Sequence, residues 1–212
     1  MKNIVMLISG NGSNLQAILD ATLSGKINGK ICGVISNKAK AYGLERAKQA
    51  QIPTFVFSRK QFESNLAMDQ AIAEQIEALN ADLIVLAGYM KILTPEFTRQ
   101  FEGKILNIHP SLLPKYPGLN TYQRAIESGD IEHGMSIHFV NEEVDGGAII
   151  LQAKVPIYPE DNIEELMDRV HEQEHRCYPL VVQWFCDDRI VLRQGKAYLD
   201  GVVLSAQGYA SE

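Results

Sequence analysis

Four short runs, Asn3–Ile8, Lys30–Ile35, Asp82–Ala87 and Lys104–Ile108, are almost wholly apolar past their first residue. A strand with one wet face alternates polar and apolar residues, so these runs describe strands covered on both faces. Between them, apolar residues recur at helical spacing. Leu15, Ile18 and Leu19 mark a first helix, Ala39–Ala50 a second, and roughly Glu63–Leu79 a third, with a short strand at Thr54–Phe57 before the last. This alternation predicts an α/β fold: a Rossmann-like, mainly parallel, twisted sheet with helices on both faces.

The second half is punctuated differently. Ser136–Val140 and Ala148–Val155 read as adjacent strands joined tightly through Asp145-Gly146-Gly147, which predicts antiparallel pairing. A long helix over about Ile163–Phe185 follows, and the tail Ile190–Leu204 contains Asp200-Gly201, a hairpin signal. An antiparallel C-terminal part is therefore expected. With no repeat or linker in sight, the 212 residues read as one domain. The longest irregular stretch, Pro110–Asn120, holds three prolines and a glycine, and a loop of that kind inside a compact domain is more often functional than idle.

Lys and Arg total 20 against 26 Asp and Glu, a net charge of −6. That balance argues against nucleic acid, which requires a basic face, but leaves room for a local pocket for one small anion. Cys32, Cys177 and Cys186 have no metal-binding spacing and read as reduced thiols. The apolar start of the chain is too short for a signal-peptide core or a membrane span. A cytoplasmic protein without membrane contact is expected, with monomer and homodimer both open.

Three motifs carry chemistry. In Gly10-Asn11-Gly12-Ser13-Asn14 the glycines permit a tight turn and Ser13 or Asn14 can cap the helix, so the first helical amides would face an anion. A plain strand-to-helix turn is the bland alternative. The loop is a poor dinucleotide fingerprint, because Leu15 stands where the third glycine belongs, and a single phosphate suits it better. In Asn107-Ile108-His109 the two polar residues are two apart at a strand end and share a side, where open parallel sheets bind their ligands. They suit oxyanion stabilisation and proton handling, though a histidine closing a loop onto backbone explains the motif equally well. Asp145-Gly146-Gly147 alone reads best as a turn; set against His109, Asp145 would favour the imidazolium. Smaller features remain. His171-Glu172-Gln173-Glu174-His175 matches the zinc signature H-E-x-x-H literally, His133 reads as a surface residue and His138 as a strand residue, and Tyr89 and Met90 read as pocket wall.

Taken in order, ISGNGSNLQAI, LAGYMKIL, LNIHPSLLPKYPG and HGMSIHFVNEEVDGGAIILQ resemble the phosphoribosylglycinamide formyltransferase family, folate-dependent enzymes of purine synthesis. QEHRCYPLVVQWF and QGYA near the end fit too, so the resemblance spans essentially the whole chain. It implies transfer of the formyl group of 10-formyltetrahydrofolate, as cosubstrate, to the amine of 5-phosphoribosylglycinamide. Gly12, Ser13 and Asn14 match the phosphate loop. Met90, Lys91, Ile92 and Leu93, with Asn141, Glu142, Glu143, Val144 and Asp145, match the segments around the folate pterin, the first of them through backbone groups. His171, Glu172, Gln173 and Glu174 match the segment on the ribonucleotide, Glu174 at its ribose. Asn107, His109 and Asp145 are the implied catalytic residues, Asn107 also touching the ribonucleotide. The zinc match then becomes fortuitous, and no metal is implied. The N-terminal half, about 1–105, is expected on the phosphate side and the C-terminal half, about 106–212, on the catalytic and folate side.

Two departures stand out. The family often carries an arginine near Asn65 that contacts the folate, so either Arg59 or Lys60 substitutes or the contact is lost, and Asn120-Thr121-Tyr122 replaces a different segment in a loop expected to be mobile. Rival readings are weaker. A methionyl-tRNA formyltransferase would have a further C-terminal domain, and a formyltetrahydrofolate hydrolase a preceding regulatory one. A non-catalytic nucleotide-binding module and a zinc peptidase are the alternatives from other classes.

Overall fold

The computed structural model describes residues 1–211. Its first five strands, β1 (Lys2–Ile8), β2 (Gly29–Ser36), β3 (Thr54–Val56), β4 (Leu83–Leu86) and β5 (Ile105–His109), are parallel and ordered β5-β4-β1-β2-β3. Ile4, Met6 and Ile8 of β1 face one apolar cluster while Val5 and Leu7 face the other. Both sets are fully buried, which is why the run is apolar at every position. Helices α1 (Ser13–Leu23), α2 (Tyr42–Gln49) and α6 (Ile163–Cys186) contribute to the first cluster, and α3 (Asn65–Ala78) and α4 (Pro95–Gln100) to the second.

Strand direction changes at β5. Its other neighbour, β6 (Glu132–Phe139), is antiparallel, β7 (Ile149–Pro156) pairs antiparallel with β6, and β11 (Tyr209–Ser211) closes the eight-stranded sheet parallel to β7. A separate three-stranded antiparallel sheet holds β8 (Ile190–Arg193), β9 (Lys196–Leu199) and β10 (Val202–Val203). The expected Asp200-Gly201 turn joins β9 to β10. A second turn, Gln194-Gly195, joins β8 to β9, with positive φ at both of its residues, as at Asp200-Gly201.

Several boundaries differ from the sequence reading. β6 starts at Glu132 rather than Ser136, which makes His133 a buried strand residue with 1% exposure instead of a surface one. The rings of Tyr116 and Tyr122 pack against it and burial pushes its pKa down to about 4. Helix α2 begins at Tyr42 rather than Ala39, because the Ser36 hydroxyl accepts from Lys38 N–H and donates to Lys38 O, holding that stretch in a turn. The β6–β7 connection covers residues 140–148 and is no tight hairpin. Asp145-Gly146 instead closes a turn inside it, with Gly146 N–H donating to Glu143 O. Helix α5 (Thr121–Glu127) takes up Thr121 and Tyr122, and the Thr121 hydroxyl donates to Pro110 O, tying the two ends of the proline-rich stretch together.

One side chain sets the relation between helix and sheet. Tyr178 of α6, fully buried, donates its hydroxyl to Leu86 O at 2.7 Å and also reaches Leu106 O at 3.2 Å. It thus pins α6 to the last residue of β4 and to the adjoining part of β5.

Candidate active site

A cavity of about 730 Å³ opens where β1, β4 and β5 give way to their loops. Such a position, outside the carboxyl ends of parallel strands, is where this architecture leaves backbone groups free. Residues 10–14 form one wall, Gly88 to Leu93 a second, residues 140–145 a third, and His171 and Glu174 of α6 a fourth. Asn107 and His109 lie between them.

The 10–14 loop owes its shape to glycine. Gly12 takes φ 77° immediately before α1, and a Cβ there would lie 2.7 Å from the Gly43 Cα. Neither Ser13 nor Asn14 caps the helix, contrary to the sequence reading; Gly12 occupies that position with no side-chain bond, so the first amides of α1 keep no intrahelical acceptor. Arg46 of α2 braces the loop from outside, Nε donating to Asn11 O at 2.9 Å and Nη2 to Asn11 Oδ1 at 2.8 Å. Asn14 Nδ2 donates to Glu174 Oε2 at 3.3 Å, while Asn14 Oδ1 is buried with no partner among the described groups. Glu174 is 6% exposed, and burial pushes its carboxyl up to about 7 in spite of that bond. His171 Nε2 is 3.9 Å from the same oxygen, but burial lowers the histidine's pKa, so the contact is polar rather than ionic near neutrality.

At the centre, His109 is held from two sides. Nδ1 lies 3.5 Å from Asp145 Oδ1, and Nε2 lies 2.8 Å from Tyr116 O. A carbonyl only accepts, so Nε2 carries a hydrogen, while Nδ1 faces the Asp145 carboxylate. Asp145 sits at φ 54° and spends its other oxygen on Gly118 N–H, 2.9 Å away. Asn107, two residues from His109 on β5, meets His138 of β6, its cross-strand neighbour, at 3.3 Å.

Of the residues singled out from sequence, Gly12, Ser13, Asn14, Met90, Lys91, Ile92, Leu93, Asn107, His109, Asn141, Glu142, Glu143, Val144, Asp145, His171 and Glu174 all line this cavity. Glu172 and Gln173 do not. Helical spacing turns 171 and 174 to one face and sends these two elsewhere, Gln173 to a bond with Arg176. Arg59, Lys60 and Asn65 are also outside the lining, and the Arg59 guanidinium is spent on Phe62 O and Glu63 O. His138 and Tyr122, which line the cavity, and Ser9, Arg46 and Asp69 behind it were not foreseen. For His138 the signal existed, since strand pairing with Asn107 would have exposed it. The others depend on tertiary approach alone.

A family model described as formyl transferase matches residues 2–182. The chain is 67% identical over 212 residues to the phosphoribosylglycinamide formyltransferase of Haemophilus influenzae, covering 100% of each. It is 53% identical over 210 residues to that of Escherichia coli, covering 99% of each. The solved structure of phosphoribosylglycinamide formyltransferase from Coxiella burnetii superposes with a TM-score of 0.95 at 45% identity, over 99% of this chain and 98% of that one.

Proposed function

Since the chain belongs to the formyl transferase family, among the phosphoribosylglycinamide formyltransferases, it is a formyl-transferring enzyme of purine biosynthesis, and we propose that Asn107, His109 and Asp145 carry the transfer. The donor is 10-formyltetrahydrofolate and the acceptor the amine of 5-phosphoribosylglycinamide. The observation that carries this reading is the 3.5 Å approach of His109 Nδ1 to Asp145 Oδ1, beside Asn107, in one cavity with a glycine turn that leaves the first amides of α1 uncapped.

The ribonucleotide phosphate meets the amides at the start of α1, and Glu174 with Asn14 takes its ribose hydroxyls. The Met90–Leu93 and Asn141–Asp145 walls receive the pterin. The amine attacks the formyl carbon, and the carbonyl oxygen becomes an oxyanion. Asn107 and the His109 imidazolium donate to it; one such donor is worth about 3–4 kcal/mol in a water-poor site. When the carbon–nitrogen bond to folate breaks, the proton lost by the amine reaches the departing nitrogen by way of His109, whose charge Asp145 balances. Release of the Tyr116 carbonyl frees the Nε2 hydrogen for this traffic. The N-terminal half, about 1–105, serves mainly the phosphate and the C-terminal half, about 106–212, mainly the chemistry, with Met90–Leu93 and Glu174 crossing that division.

We place the enzyme in the cytoplasm on its likeness to the bacterial phosphoribosylglycinamide formyltransferases. The test is an absorbance assay of folate deformylation with and without the ribonucleotide. Turnover that needs the acceptor, and falls by roughly two orders of magnitude or more in His109→Ala and Asp145→Ala, is expected from the size of the lost stabilisation. Near-native kcat in both variants would sink the assignment of the trio, and turnover without acceptor would point to a hydrolase.

A further inference from the structure

Asp69 lies outside the cavity on α3, whose other buried residues, Met68, Ile72, Ala73 and Ile76, are small or apolar. It is 1% exposed, and both its oxygens are spent on a single loop. Oδ1 receives Lys91 Nζ at 2.6 Å and Oδ2 receives the Thr94 N–H at 2.7 Å. Lys91 Nζ also donates to Ile92 O at 3.2 Å. One carboxylate therefore grips the loop at Lys91 and again at Thr94. Its start is held separately, by Met90 N–H donating to Ser9 Oγ at 2.8 Å.

A buried ion pair is a poor route to stability, because apolar residues of similar size pack at this depth without the desolvation cost. What a carboxylate does and a leucine cannot is fix backbone amides and an ammonium group in one geometry. The loop has need of that. Met90 is 59% and Ile92 69% exposed, and both line the cavity. Unrestrained, two large apolar side chains beside an open cleft would fold inward. Lys91 lines the cavity as well, but its side chain is only 11% exposed and its ammonium is held by Asp69.

We propose that Asp69, acting through Lys91 and Thr94, is a positioning residue for the folate cosubstrate, holding Met90–Leu93 in the shape that receives the pterin. This rests on the reading that residues 90–93 contact the folate. Preorganising that wall lowers the ordering cost of binding the donor and leaves the ribonucleotide side untouched.

Steady-state kinetics on Asp69→Ala, Asp69→Asn, Lys91→Met and Lys91→Arg test it. Asp69→Ala should raise KM for 10-formyltetrahydrofolate by about tenfold, the scale of a lost charge-assisted hydrogen bond, with KM for the ribonucleotide unmoved. Asp69→Asn, which keeps an acceptor for Thr94 N–H, should fall between, and Lys91→Arg should be milder than Lys91→Met. If Asp69→Ala does not fold, Asp69→Asn carries the comparison. A merely structural role would reduce the folded fraction, and so kcat, while leaving both KM values alone, and that result overturns the proposal; so does an equal rise for both substrates. Hydrogen exchange of the unaltered protein with tetrahydrofolate separates the two layers. Absence of protection at 90–93 removes the folate reading and this proposal with it, whereas protection there with unchanged KM values removes the proposal alone.

Discussion

His138 stands behind Asn107, its Nε2 3.3 Å from the asparagine's amide nitrogen. Nδ1 is 2.8 Å from Phe139 O and must donate to it, and burial holds the ring's pKa below the ordinary value. The neutral ring is thus fixed as the Nδ1–H tautomer, with Nε2 accepting from Asn107. That bond sets the plane of the asparagine amide and leaves its second hydrogen free for the oxyanion role proposed for it. His138→Phe should lower kcat roughly fivefold, one neutral hydrogen bond being worth about 1 kcal/mol, with little change in either KM. An unchanged kcat would show that Asn107 needs no such support.

Glu174 makes stability depend on pH. Unfolded, its carboxyl ionises near 4.5; folded, it keeps its proton until about 7. The contribution of this group is complete below the lower value and is lost as pH rises through the upper one, a change of about 3 kcal/mol. Glu174→Gln removes that slope. Its melting temperature should match the native protein's near about pH 4 and exceed it near about pH 8. Parallel profiles of Tm against pH would contradict the burial argument. The same variant should bind the ribonucleotide less well, since a carboxylate accepts from ribose hydroxyls more strongly than an amide does.

Arg46 acts on the phosphate loop without entering the cavity. Besides its two bonds to Asn11, it reaches Gln16 Oε1 at 3.4 Å and lies over the Tyr42 ring. Arg46→Ala should raise KM for the ribonucleotide by roughly tenfold and leave the folate KM alone, the opposite split from Asp69→Ala. Arg46→Lys should recover only part, lacking the fork that spans a carbonyl and an amide together. Equal effects on both substrates would point to general loosening instead.

Gly10 and Gly12, two residues apart, should respond very differently to alanine. A Cβ on Gly10 meets nothing within 4 Å, whereas one on Gly12 strikes the Gly43 backbone at a φ of 77°. Left-handed strain alone costs about 1–2 kcal/mol. Gly12→Ala should therefore lower Tm by several degrees and raise the ribonucleotide KM, while Gly10→Ala keeps a near-native Tm. Thermal melts of the two variants side by side decide it.

The strands of the first half were readable because double burial leaves no polar positions to confuse the pattern. β6 was harder, since His133-Gly134 at its start looks like loop chemistry, and only the Tyr116 and Tyr122 rings make that position interior. β11 is three residues long and pairs with β7 across the whole of α6 and the small sheet, which no local signal reports. In the site, Asn107 and His109 were legible from two-residue spacing on one strand. Asp145 read as a turn, and correctly so, since it sits in one at positive φ; what local sequence lacks is the approach of that turn to His109. Asp69 looks like an ordinary polar residue on a helix until the loop that covers it is in place.

Ser9 governs a length. Its hydroxyl donates to Asn37 Oδ1 and accepts from Met90 N–H, and it precedes the glycine turn by one residue. A single oxygen therefore anchors the start of the Met90–Leu93 loop to the residue just before the glycine turn, and so sets the spacing between two walls of the cavity. The active site is in this sense a gauge. With the phosphate and the formyl donor seated as proposed, it measures the distance from phosphate to amine in whatever acceptor enters, and one a bond too long or too short presents its nitrogen off the line to the formyl carbon however tightly its phosphate is held.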